Sequence, residues 1–235
     1  MGADQHTDWT ALAASTLEWW RDAGVDTLVE DAPRDWLARA VPMAATPIAD
    51  AVAEVAAPAL PDTLDAFVAW RLGDAAPEAG RGAVIGPEGD VSSGVMVIVD
   101  FPEGETLLDG AAGRLFDRML AAIGRDRASI YLASLTTARP LTARIAPEAE
   151  ALLAPLIYHH VALATPRILL TLGAAASRAM IGTDAHEGQG NLRAVNLNGA
   201  SVPVVASYHP RALIERPAMK AAAWKDLQLL MGGLR

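Results

Sequence analysis

The stretch "PRILLTLGAAASRAMIG", residues 166–182, decides the fold. It opens with an apolar run of strand length, 167–172. Gly173 then breaks the run, and an alanine-rich segment of helical composition follows to Gly182. A uniformly apolar strand that feeds straight into a helix belongs to a parallel sheet covered on both faces. The same unit recurs on either side. "VMVIVD" (95–100), "SIYLAS" (129–134) and "VPVVAS" (202–207) read as strands. "AAGRLFDRMLAAIG" (111–124), "PEAEALLAPLIYHHVALA" (147–164) and "RPAMKAAAWKDLQLLMGG" (216–233) read as helices. The expected fold is α/β: three layers, α/β/α, around a four-stranded parallel sheet. A brief apolar piece, Ala83 to Ile85, is a candidate edge strand.

The front of the chain reads differently. "DWTALAASTLEWWRDAG" carries Leu12, Leu17, Trp20 and Ala23 at helical spacing and stops at Gly24. "PRDWLARA", "TPIADAVAEVAAPAL" and "PDTLDAFVAWRL" add three more helices, the last capped by Asp62 or Thr63. Residues 73–94 are rich in Gly and Pro. The expected organisation is an N-terminal helical extension over 1–72, a linker or loop over 73–94, and the α/β domain over 95–235. Trp19, Trp20 and Trp224 are expected as core anchors, and His159 and His160 as half-buried or surface residues.

Composition narrows the function. A hydrophobic content of 52% over 235 residues suits one globular domain with an appended segment. The N-terminus, MGADQHTDW, is polar and acidic, and no apolar run approaches the ~18 residues of a membrane span. The expectation is a soluble, cytoplasmic monomer without membrane contact. With no cysteine, the chain builds no disulfide, cysteine-held iron–sulfur cluster or cysteine–zinc site. The five histidines show no metal-ligand spacing, so no metal is expected. The net charge of −9 is uneven: residues 1–105 carry 5 Lys+Arg against 19 Asp+Glu, and residues 106–235 carry 14 against 9. A mildly basic back half is compatible with a phosphate-facing surface.

Ligands of open parallel sheets sit beyond the carboxyl ends of the strands. The first strand ends at Asp100-Phe101-Pro102-Glu103, and the second at Ser134, with Arg139-Pro140 shortly after. The third ends at Gly173 and the fourth at Ser207-Tyr208-His209-Pro210-Arg211. A carboxylate, a histidine, arginines and hydroxyls would converge on one rim. Each has a bland alternative: Asp100 as a helix cap, Ser134 as loop polarity, Arg139 as a surface ion pair, Gly173 as turn geometry. His209 is the strongest candidate, because it stands on a short loop after a buried strand with Pro210 fixing the backbone.

The segments "GRLFDRMLAAIGRDRASIYLAS", "ARPLT", "PRILLTLGAAASRAMIG" and "ASYHPRALIERPAMKAAAWKDL" together resemble the uracil-DNA glycosylase superfamily, family-four type. The resemblance spans roughly 95–230, and "TLEWWRDAGVDTLVEDAPRDWLAR" resembles an N-terminal extension of some members. It implies a base flipped out of uracil-containing DNA, single- or double-stranded, and hydrolysis of its N-glycosidic bond. His209 would meet the charge on the departing base, and Asp100 would direct water or support the sugar cation. Phe101, Pro102, Leu108, Ser134 and Gly173 would line the substrate, and Arg139, Pro210, Arg211 and Lys220 would face DNA. The first motif departs from the family's Gly-Glu-Ala-Pro-Gly: this chain has Val99-Asp100-Phe101-Pro102-Glu103. Leu108 stands where a stacking phenylalanine is expected, and Ser134 where an asparagine reads the base edge. Ala138 and Leu153 occupy positions of cluster cysteines, so no iron–sulfur cofactor is expected. Two readings follow: a divergent glycosylase acting on uracil or another deaminated base, or a relative that binds nucleic acid or a nucleotide without hydrolysis.

Overall fold

The computed structural model describes residues 9–22, 60–80, 82–182, 192–197 and 199–233. Met1–Val55 and Ala56–Arg235 are separate compact units. In the first, α1 spans Trp9–Asp22. Leu17, Trp19 and Trp20 on it are exposed, so the expected core role of the two tryptophans is corrected. The helices read over 33–40 and over most of 46–60 lie outside the described residues.

The second unit begins with α2, Leu64–Leu72, whose amino end is capped by the Thr63 hydroxyl accepting from the Ala66 N–H. There follow β1 (Glu88–Gly89), β2 (Val95–Val99), α3 (Gly110–Ala122), β3 (Tyr131–Ser134), α4 (Pro147–Ala164) and β4 (Ile168–Leu172). Next come α5 (Ala174–Ile181), β5 (Leu192–Leu197), β6 (Ala200–Ser207), α6 (Pro210–Glu215) and α7 (Lys220–Gly232). The sheet order is β1-β3-β2-β4-β6-β5. The four central strands are parallel, as read from the sequence. The sheet has six strands rather than four, because β1 and β5 add antiparallel edges. Val84, expected on an edge strand, makes only an isolated bridge with Ala138.

The pleat divides β2 between two cores. Met96 and Ile98 face a cluster with Phe67 of α2, Ile157 of α4 and Met180 of α5. Val95, Val97 and Val99 face a cluster with Phe116 of α3 and Leu227 of α7. Both faces are therefore covered, which makes three layers and aligns the carboxyl ends of β3, β2, β4 and β6 along one rim. Phe67 ties α2 into the first core, beside His160. His160 is buried, not half-exposed as expected, and its Nε2 pairs with the Tyr131 hydroxyl at 2.9 Å. Trp224 is half-exposed rather than a core anchor. Among the described residues no helix is long and apolar enough to cross a membrane.

The segment after α2 is held by an internal ion pair. Arg71 Nε donates to Glu78 Oε2 at 3.0 Å, and Arg71 Nη2 donates to the Leu135 carbonyl at 2.6 Å. Glu78 Oε1 accepts from the Thr137 N–H at 2.8 Å. Both ends of the bridge thus reach the chain leaving β3.

Candidate active site

The rim is built from three strand ends. β6 is pinned by the Ser207 hydroxyl, which donates to buried Asp226 of α7 at 2.6 Å. Three residues on, Pro210 takes the first position of α6 and holds His209 in extended backbone, φ −62 and ψ 139. The His209 ring turns back so that Nδ1 accepts the Arg211 N–H at 3.2 Å. An accepting Nδ1 leaves the proton on Nε2. That Nε2 is buried and has no hydrogen-bond partner among the described residues. Burial, then the positive charges of Arg211 and Arg139, hold the imidazole neutral by pushing its pKa down to about 3. A buried donor without an acceptor costs about 1–3 kcal/mol, and it reads as the place for a ligand oxygen.

Asp100 follows β2. Its Oδ1 accepts the Ala176 N–H at 2.7 Å, so it caps α5 from across the rim. Burial raises its pKa to about 6, against the pull of that backbone hydrogen bond and of Arg211 and Arg178. Gly173 makes this placement possible. It sits at φ 116, and a Cβ there would fall on the Asp100 carboxylate. Gly173, expected to line the substrate, stands on the rim beside Asp100, and its missing side chain makes room for that carboxylate.

Between these two groups lies a cation–carboxylate cluster that strand-end reasoning did not assign. Glu103 Oε1 accepts from Arg211 Nη1 at 2.5 Å, and Oε2 accepts from Arg139 Nη1 at 2.9 Å. His209 Nε2 stands 3.7 Å from Glu103 Oε1, beyond hydrogen-bond length. Both guanidiniums lie over the Phe101 ring, Arg211 at 4.8 Å and Arg139 at 5.4 Å from its centroid. Phe101 and Pro102 are buried, and the Pro102 carbonyl accepts from Arg139 at 3.2 Å. The missed signal was a carboxylate replacing the motif's second glycine on a rim rich in arginine.

Three more expected residues lie outside this ion-pair cluster. Leu108 is fully buried in the core with Leu107 and Phe116, so its side chain packs rather than lining the rim. Ser134 is buried at the end of β3 and lines a small pocket with Arg71, Thr137 and His160. Lys220 lines a different groove, with Arg118, Met119 and Trp224.

An iron–sulfur cluster does not fit these residues. The chain has no cysteine, and Ala138 and Leu153 present buried hydrocarbon that offers iron no electron pair. Among the described residues no three His, Asp or Glu side chains gather as a metal site.

The family model described as the uracil DNA glycosylase superfamily matches residues 87–228, which covers every strand of the sheet and the whole rim. Similar proteins include the Type-4 uracil-DNA glycosylase of Pyrobaculum aerophilum. It is 27% identical over 159 residues, which are 62% of this chain and 81% of that protein. The Type-4 uracil-DNA glycosylase of Archaeoglobus fulgidus is 29% identical over 126 residues, 51% of this chain and 63% of that protein. Since the matched region takes in more than half of the sequence and the sheet it describes, the chain belongs to the uracil DNA glycosylase superfamily.

Proposed function

We propose that this protein hydrolyses the N-glycosidic bond of uracil or another deaminated base in DNA, as a cytoplasmic monomer in base excision repair. One observation carries the reading: a neutral His209 whose Nε2–H is buried, unpaired and set at a strand-end rim. When the bond between the sugar and the base breaks, its electron pair leaves with the base. The base oxygen gains negative charge that was absent from the ground state. A preset donor meets that charge without reorganisation, a contribution of about 3–4 kcal/mol. Being neutral, His209 donates a hydrogen bond and keeps its proton. The sugar cation is captured by water, and Asp100, with a pKa of about 6, takes the water's proton. Arg139 and Arg211 face phosphates, and Phe101 supports both guanidiniums from below.

Binding without hydrolysis is the second reading, and Glu103 favours it: its carboxylate stands 3.7 Å from the Nε2 that should meet the base. Incubation with uracil-containing single- and double-stranded oligonucleotides, followed by alkali, separates the two. Strand breaks lost in His209→Ala support hydrolysis. Retention of the oligonucleotide without breaks supports binding alone. If neither is seen at low salt, where phosphate contacts are strongest, DNA is not the ligand.

A further inference from the structure

We propose that Glu103 is the gate and specificity residue of the rim: an internal carboxylate that occupies the anion clamp of Arg139 and Arg211 until phosphates of a polymeric substrate replace it. The inference deepens the proposed DNA function and rests on it for the identity of the substrate.

The three rim groups suited to a nucleotide's negative charge all face one carboxylate. Glu103 binds each arginine through a different oxygen, and its Oε1 is the nearest acidic atom to His209 Nε2. A ligand oxygen placed at ~2.9 Å from Nε2 would stand beside Oε1. Two negative oxygens in so buried a place repel strongly. The charge on a departing base therefore develops only after Glu103 has turned away. Turning away leaves Arg139 with the Pro102 and Glu103 backbone carbonyls alone and takes from Arg211 its hydrogen-bonded carboxylate, so both guanidiniums are open to another anion. The chemistry of that anion is phosphate, to which a guanidinium binds as well as to carboxylate.

The loop is built for a short excursion. Phe101, Leu107 and Leu108 are buried anchors at its two ends. Between them only Gly104, Glu105 and Thr106 are exposed, and Glu103 is half-buried. Two backbone hydrogen bonds close the tip, Glu103 N–H to Leu107 at 3.2 Å and Gly104 N–H to Thr106 at 3.4 Å. Exchange at two arginines selects a ligand that brings two phosphates at once. A uracil nucleoside brings none and cannot open the site, whereas a DNA strand can.

Two arms test the gate. In the first, the thermal midpoint of the full chain is followed with millimolar inorganic phosphate. Glu103→Gln, and Glu103→Gly as a second variant lacking the side chain, should gain several degrees from phosphate while the wild type gains none. The gain should vanish when Arg139→Ala and Arg211→Ala are added. Equal phosphate stabilisation of wild type and Glu103→Gln, or none in any protein, overturns the gate. In the second arm, binding to a uracil-containing single strand is followed by fluorescence anisotropy across a salt series. Glu103→Gln should bind about tenfold tighter, since each partly exposed ion pair resists exchange by a few-fold. Its salt dependence should steepen by about 0.7 per phosphate gained. Its cleavage rate at subsaturating strand should exceed that of wild type, because no charged carboxylate has to turn away; a folded Glu103→Gln that loses cleavage tenfold or more overturns the gate. If the phosphate arm succeeds and no variant binds the oligonucleotide, the gate stands and the DNA reading falls.

Discussion

Arg71 and Glu78 form an ion pair whose side chains are 5% and 4% exposed. Glu103, 11% exposed, instead meets two arginines that are 43% and 33% exposed. In the first cluster the carboxylate is fully used: one oxygen takes Arg71 and the other the Thr137 N–H, while Arg71 also reaches the Leu135 carbonyl. Two of these links reach the chain leaving β3, one from α2 and one from the segment after it, and the third joins Arg71 to Glu78, so none can let go without stranding a charge in the core. In the second, each oxygen of Glu103 holds a separate, solvent-reached guanidinium, and beside them a buried His209 donor is left without an acceptor. A closed cluster is a staple, and a half-open one is a candidate site. The difference lies in desolvation: charges sealed from water must remain paired, whereas charges at a rim can change partners.

The sharpest way to break the comparison is Arg71→Met. It leaves Glu78 charged and buried, and the expected loss is about 3–5 kcal/mol in denaturant unfolding. A loss under 1 kcal/mol would make the two clusters alike. Next in size is Asp100→Asn. Folding raises the Asp100 pKa from 3.8 to about 6, so the folded state favours the protonated acid. That favourable contribution is full below pH 3.8 and is lost as pH rises through 6. By linkage the variant, which has nothing to ionise, should gain up to about 3 kcal/mol over wild type at pH 8 relative to pH 3.5. Urea melts at the two pH values read the gain directly; a flat difference would show that burial does not strain this carboxylate.

His160 follows. Burial pushes its pKa down to about 4 from 6.5, so its neutral form stabilises the fold above pH 6.5 and that contribution fades toward pH 4. His160→Gln should flatten the acid side of the stability profile by about 1–3 kcal/mol, read from urea melts between pH 4 and pH 7. Smallest is Glu150→Gln. The Arg178–Glu150 pair is bidentate, at 3.0 and 2.8 Å, but Arg178 is one-third exposed. Its loss should cost under about 1 kcal/mol. A larger cost would mean that this pair, like Arg71–Glu78, is a staple.

The parallel core was legible because each strand advertises its burial on both faces. "ILLTL" and "VMVIV" carry almost nothing polar, and α4 runs over 147–164 as its helical pattern and Pro147 predict. The edges were not. β5 reads "LRAVNL", an alternating one-sided strand, and its pairing with β6 depends on a turn where the Asn196 side chain accepts the Gly199 N–H. An Asn-Gly beside an apolar run is a hairpin signal, and with a polar strand before it the signal went unread. At the site, His209 was legible from its place after β6 with Pro210 behind it. Glu103 was not, because its partners lie 36 and 108 residues away on other loops, a proximity that no local pattern records. Leu108 was misplaced for a related reason: position relative to a motif does not say which way a side chain turns.

The two edge strands bear on how the chain behaves when partly unfolded. Of the inner strands, β2 and β4 are uncharged, almost wholly apolar segments of the kind that template cross-β assembly. β1 fences one side with only two residues, so that border is too short to recruit another strand. β5 fences the other with Arg193 near its start and alternate side chains in water. Protection against aggregation therefore rests on the two least apolar strands of the sheet, backed by Pro203 in β6, which has no N–H to give to an incoming strand if β5 comes away.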